Sequence, residues 1–309
     1  MSGATVRGRF EALPGNLRGA LWILMTAFVM TLQSAIVKEL GEDVHTLVIV
    51  FFRCLFALII LLPVFIRRGP AMIRTKRPWM HVARSVVGIV SMSCMFFALA
   101  YLPLADVTAL VFTMPLFMIV FAVLLLGESI RWRRWTATAV GFCGVLVVLQ
   151  PGSGFEWASL VALTSACLSA LVGVLVKKLS VTDSASTMVF YFAALGLVFS
   201  AIPAAFVWQM PSDTDLALLF VIALLGTMGQ LFAVYAWEAG EATAVAPFDY
   251  TRLIFAAIMG YILFAEVPEI ATVAGAVLIV ASTLYIARRE ARLRTDRPDV
   301  ALAASLDRP

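Results

Sequence analysis

Asp249 and Arg252 are two charged residues, three positions apart, in the stretch Pro247-Phe248-Asp249-Tyr250-Thr251-Arg252, inside an otherwise apolar run. That spacing predicts both on one face of a helix. Near the middle of a membrane such charges cost several kcal/mol unless they pair or face a wet cavity. Two chemistries fit: an internal ion pair that orients the helix, or an ionic contact to a substrate or coupling ion. The second is favoured. Proximity to Arg252 keeps Asp249 ionised, which argues against Asp249 as a free proton carrier. Pro247 removes one backbone hydrogen bond just before the pair and frees a carbonyl.

Arg53 falls about two turns into the second apolar run, and Arg84 about one turn into the third. For both, snorkelling to the interface is the alternative to a place on a pathway. With Asp249 and Arg252 they give the apolar interior a net charge of +2, which favours a ligand bearing a carboxylate or other anionic group. Uncharged polar residues extend the set. Trp22, Thr26 and Gln33 recur at helical spacing; Gln230 and Trp237 share a face; Ser91 follows Arg84; Tyr191 and Tyr250 lie in later runs. Gln33 and Gln230 are expensive in lipid and are expected to face the interior. Trp22 and Trp237 lie near run ends, where interfacial anchoring competes with ligand stacking. The candidate substrate-binding set is therefore Asp249, Arg252, Tyr250, Gln230, Gln33, Arg53, Arg84, Ser91 and Trp237.

Other chemistries find no support. Cys54, Cys94, Cys143 and Cys167 lie in apolar runs without metal-ligand spacing, and His45 and His81 sit near run ends. There is no HExxH, GxSxG or phosphate-binding glycine loop, so no metal, cofactor or enzymatic activity is expected. The net charge of +4 and pI of about 9.0 come mostly from loop Lys and Arg, which set topology and do not imply nucleic acid.

The elements that position these residues follow from composition. The chain is 62% apolar and 14% charged, with mean hydropathy +0.98. Soluble domains carry roughly 25% charged residues. A length of 309 residues holds about ten helices of about 20 residues each. The punctuation predicts spans at 18–38, 45–66, 79–101, 105–126, 134–150, 157–177, 184–207, 215–237, 243–264 and 269–287. Nineteen of the 23 Lys and Arg then fall on one side of the bundle, in the tails and alternate loops. The other four are Lys38, Arg53, Arg84 and Arg252. The opposite loops hold Glu39, Glu42, Asp43, Asp106, Glu156, Asp213, Asp215, Glu266 and Glu269. The positive-inside rule places both termini in the cytoplasm, and the expected location is a bacterial inner membrane.

The chain also repeats. A shift of 138 lays Phe97–Glu128 on Tyr235–Glu266 without a gap, both ending in a small residue and a glutamate. A shift of 139 lays Val37-Lys38-Glu39-Leu40 on Val176-Lys177-Lys178-Leu179. Five spans per copy is odd, so the second copy enters from the opposite side. The expected fold is an all-α membrane protein of ten transmembrane helices, two inverted-topology five-helix repeats. Its divisions are an N-terminal tail 1–17, a first repeat 18–150, a linker 151–156, a second repeat 157–287 and a C-terminal tail 288–309. Ala137-x3-Gly141 and Ala271-x3-Gly275 are close-packing pairs and compatible with a homodimer.

The stretch from Arg84 to Glu128 resembles the EamA module of the drug/metabolite transporter superfamily: an early Arg, an ALAYLPLADVTAL turn, Pro115 in the next span and a terminal LLGE. The resemblance covers about residues 18–287. It implies secondary, ATP-independent transport of a small organic metabolite by alternating access. The pathway is lined by spans one to four and six to nine. The second copy departs from the pattern: Leu253 stands at the position of Pro115, and Asp249 and Arg252 match Val111 and Met114. With the charge balance, a carboxylated or zwitterionic substrate is expected, amino-acid-like or a cofactor precursor. Proton coupling is compatible with this. The alternative is a flippase for lipid or lipid-linked sugar.

Overall fold

The computed structural model describes residues 13–69, 74–126, 132–150, 156–240 and 242–295. Gly127-Glu128, the linker at 151–155 and most of both tails lie outside the described residues, as does the side chain of Trp237. Twelve helices follow in order: α1 (Gly15–Leu40), α2 (Thr46–Arg68), α3 (Pro78–Tyr101), α4 (Leu104–Val111), α5 (Met114–Leu126), α6 (Trp132–Leu149), α7 (Trp157–Leu179), α8 (Ala185–Phe206), α9 (Asp213–Ala239), α10 (Ala242–Asp249), α11 (Thr251–Phe264) and α12 (Ile270–Thr295). In lipid every backbone donor and acceptor must be satisfied within the segment, which these apolar runs can do only as helices. Eight stretches are long and apolar enough to cross a membrane; Trp135–Leu149 and Ile270–Tyr285 are shorter apolar helices that bring the bundle to ten.

Two expected spans, 105–126 and 243–264, are not single helices. The first breaks at Phe112-Thr113 between α4 and α5, and the second at Tyr250 between α10 and α11. The prolines differ in position: Pro115 follows its break, and Pro247 precedes the other. The threonines do not. Thr113 Oγ1 donates to the Leu110 carbonyl, and Thr251 Oγ1 to the Phe248 carbonyl, both at 2.6 Å. Those residues are repeat mates at the shift of 138. A threonine hydroxyl competing for a backbone carbonyl bends a helix, so the same device operates twice. The last helix also outruns its expected end at 287, because the Arg-rich segment after it continues helical to Thr295.

The copies interlock. α1 packs on α9 and α3 on α7, exchanging partners between copies; α2 packs on its mate α8, and α6 on its mate α12. Within lipid no hydrophobic force draws helices together, so close approach of small residues does that work. A Cβ on Gly144 would meet the Gly275 carbonyl oxygen at 2.8 Å, and one on Gly275 would meet that of Gly144 at 2.6 Å. The end of the bundle where the chain enters and leaves is its basic face; the other is its acidic face, after their loop residues.

Candidate functional site

Arg53, Gln33 and Gly226 come together from α2, α1 and α9. A Cβ on Gly226 would meet Gln33 Nε2 at 2.9 Å, Arg53 Nη2 at 3.1 Å and Gln33 Oε1 at 3.2 Å. Gln33 is 6% exposed and Arg53 8%. The Cys54 thiol is a further polar neighbour of the guanidinium. Among the described residues Arg53 has no carboxylate in ion-pairing range, and its Nε has no hydrogen-bond partner. Arg53 therefore does not snorkel; it is held between helices with donor capacity to spare.

Asp249 and Arg252 sit on either side of the Tyr250 break. The expectation of one continuous helical face fails here, because the break interrupts the helix between them. Among the described residues neither forms an ion pair, and the buried Nε of Arg252 has no acceptor. Tyr250 turns its ring onto Phe112, its own repeat mate, with centroids 5.0 Å apart, and its hydroxyl hydrogen-bonds Thr283 on α12. The two helix breaks thus touch across the pseudo-two-fold axis.

The remaining candidates disperse. Arg84 Nη1 donates to the Met188 carbonyl at 3.0 Å, and its guanidinium lies over the Phe192 ring at 4.9 Å, joining α3 to α8. Ser91 joins α3 to α7 through the Ser165 carbonyl and the Ser169 hydroxyl. Gln230 is half-buried on α9. Trp22 stacks on Phe232 and Tyr235 of α9. An apolar groove of about 620 Å³ runs between α11 and α12, with Tyr250 and Thr272 as its polar lining.

Two constellations escaped sequence reasoning. On the acidic face, Lys38 Nζ pairs with Glu266 Oε1 at 2.9 Å and donates to the Leu102 carbonyl at 2.7 Å. Glu266 Oε2 accepts from the Leu104 amide at 2.8 Å. The cation thus sits at the carbonyl end of α3 and the carboxylate at the amide end of α4, each complementing a helix dipole. Ala265, in the left-handed region at φ 53°, turns Glu266 back toward the bundle. Lys38 lies at the end of the first expected span, next to the acidic loop residues Glu39, Glu42 and Asp43, but a single sequence carries no signal for its partner. Near the basic face, His81 Nε2 lies 3.6 Å from Asp183 Oδ1, and the imidazole stacks on Tyr191 at 4.4 Å. Burial alone would raise the Asp183 carboxyl. Hydrogen bonds from Thr182 and Thr75 and the charge of His81 hold it below the ordinary carboxylate range. No cluster able to hold a metal ion occurs among the described residues.

Interlocked five-helix copies with paired breaks are a transporter architecture, and comparison with known proteins decides the family. Residues 17–150 and 156–288 each match the EamA-like transporter family. The chain belongs to that family. This EamA-like protein is 35% identical over 277 residues to the S-adenosylmethionine uptake transporter of Rickettsia prowazekii (strain Madrid E), covering 89% of this chain and 94% of that one. It is 32% identical over 278 residues to the riboflavin transporter of Rhizobium johnstonii, covering 89% and 92%. To the pseudopaline exporter CntI of Pseudomonas aeruginosa it is 32% identical over 276 residues, covering 87% and 96%. A solved crystal structure superposes with TM-score 0.60 at 17% identity, covering 88% of this chain and 98% of that chain, which shows the shared fold. The EamA-like protein is an integral membrane transporter of small metabolites and not an enzyme.

Proposed function

We propose that this transporter carries a small zwitterionic metabolite with a carboxylate group, by alternating access and without ATP, and that S-adenosylmethionine is the first compound to test. The observation that carries the reading is the Tyr250 break, where an acid and a base lie unpaired with each other inside the membrane. Charges at membrane depth without ion-pair partners are costly and mark substrate or ion pathways. Asp249 can take a cationic group of the substrate, and Arg252 adds a second charge at the same break. The names of the relatives at 32–35% identity support a metabolite of this size, and the first of them names S-adenosylmethionine. Inverted repeats supply inward-open and outward-open states of similar energy. The positive-inside rule supports both termini in the cytoplasm.

The test is uptake of labelled S-adenosylmethionine into proteoliposomes, with and without a pH gradient. Arg252→Ala is expected to reduce flux to near background while still inserting; wild-type flux in that variant removes Arg252 from the site. A lipid substrate would use the groove between α11 and α12, and a labelled-lipid scrambling assay separates that reading. The names of these relatives give it no support.

A further inference from the structure

The two copies hold matching gaps filled by different chemistry. Gly88 on α3 and Gly226 on α9 are repeat mates at the shift of 138. A Cβ on Gly88 would meet Phe192 Cε2 at 2.6 Å, whereas one on Gly226 would meet Gln33 and Arg53. Phe192 and Arg53 are themselves mates at the shift of 139, and so are Val172 and Gln33. The same place in one architecture therefore takes Phe192 in one setting, and Arg53 with Gln33 in the other.

The first setting acts as an internal comparison. It holds a guanidinium too, that of Arg84 over the Phe192 ring, but Arg84 also donates to the Met188 carbonyl, whereas among the described residues Arg53 has only Gln33 and the Cys54 thiol as polar neighbours. A buried guanidinium with no acid partner among the described residues lowers stability. Its planar fork of donors matches a carboxylate in two-point geometry, and the Gln33 amide adds a donor beside it. Gly226, with no side chain, leaves that spot free of the Cβ that would crowd Gln33 and Arg53.

We infer that Arg53 and Gln33, set over Gly226, are the subsite that binds the carboxylate of the transported metabolite. The inference rests on the reading of this chain as a carrier of zwitterions, and adds which residues take the anionic end. Arg53 makes two-point contact with the carboxylate oxygens, and Gln33 donates to one of them through its amide nitrogen.

The experiment is thermal unfolding of the purified protein with two ligand pairs: S-adenosylmethionine against its decarboxylated analogue, and methionine against methioninamide. In wild type the carboxylate member of at least one pair is expected to bind about tenfold tighter or more, the worth of a charge-assisted contact. Arg53→Gln is expected to fold with an unchanged or higher ligand-free Tm and to lose that preference. Gln33→Val, which copies the mate residue, is expected to weaken it. An Arg53→Gln variant that unfolds, loses Tm without ligand or keeps the preference overturns the subsite, and so does a wild type that never distinguishes the pairs. Wild-type uptake of S-adenosylmethionine alongside any of these results leaves the transport reading standing. No uptake of any ligand removes both.

Discussion

The two faces of the bundle are closed by different means. On the acidic face Lys38 and Glu266 form a short ion pair that also engages the backbone ends of α3 and α4, so three helices of the first copy and the segment after α11 of the second share one charged knot. On the basic face Arg77 Nη1 donates to the Lys178 carbonyl at 3.1 Å, and His81 approaches Asp183 without a short hydrogen bond. One closure depends on two opposite charges in fixed orientation, the other on weaker and more distributed contacts. The alternating mechanism proposed above requires each face to release in turn, and on that proposal the stronger acidic-face contacts favour the state in which that face is shut.

Breaking the stronger closure is expected to give the largest effect. Lys38→Ala leaves Glu266 without its cation, at a cost on the order of 2 kcal/mol for a partly exposed pair. A cysteine placed at Leu104, in a background without the native cysteines, should then react faster with an impermeant maleimide. Unchanged reactivity would mean that the pair does not hold the face shut. The swap Lys38→Glu with Glu266→Lys is expected to fail as a rescue, because it sets a carboxylate against the α3 carbonyls and an ammonium against the Leu104 amide.

The next comparison is between the breaks. Thr113→Val and Thr251→Val each remove one hydrogen bond at equivalent kinks, and each is expected to cost about 1 kcal/mol of stability. Equal losses in Tm would support duplicated hinges; a large loss in one alone would show that the other break is held by its proline. Smaller again is Ala265→Gly, which relieves a left-handed residue and is expected to stabilise the acidic-face closure by about 1 kcal/mol or less. A fall in Tm would contradict the strain. The weakest lever is Asp183. Its folded pKa is depressed, so its stabilisation is present above the ordinary carboxylate value of about 3.9 and is lost only as pH falls through the lower folded value. Stability of wild type and Asp183→Asn should run in parallel above about pH 7.5, clear of both the carboxylate range and the ordinary imidazole value of about 6.5 at its neighbour His81; divergence there would sink the assignment.

Much of this architecture was legible from the chain. The apolar runs, the segregation of Lys and Arg and the 138-residue repeat lead to ten inverted spans, because lipid leaves a helix as the only local solution. The breaks were not. Pro247 pointed to a bend upstream of Tyr250, and the feature common to both copies, Thr113 and Thr251, looks like ordinary helix sequence. Arg53 and Gln33 were recognisable as costly residues, but their meeting over Gly226 joins three helices from two copies. Arg84 and Ser91 carried the same sequence signal and make interhelical hydrogen bonds to α8 and α7, since burial of a polar group does not say what satisfies it.

The central claim is that the unpaired charges inside the bundle serve a zwitterionic substrate. Counterflow tests it most directly: proteoliposomes preloaded with unlabelled S-adenosylmethionine are placed in trace labelled compound. Transient, saturable accumulation that survives collapse of ion gradients and disappears in Arg252→Ala is the predicted result. Accumulation no greater than in empty liposomes, for S-adenosylmethionine and for a panel of other carboxylated metabolites, would contradict it.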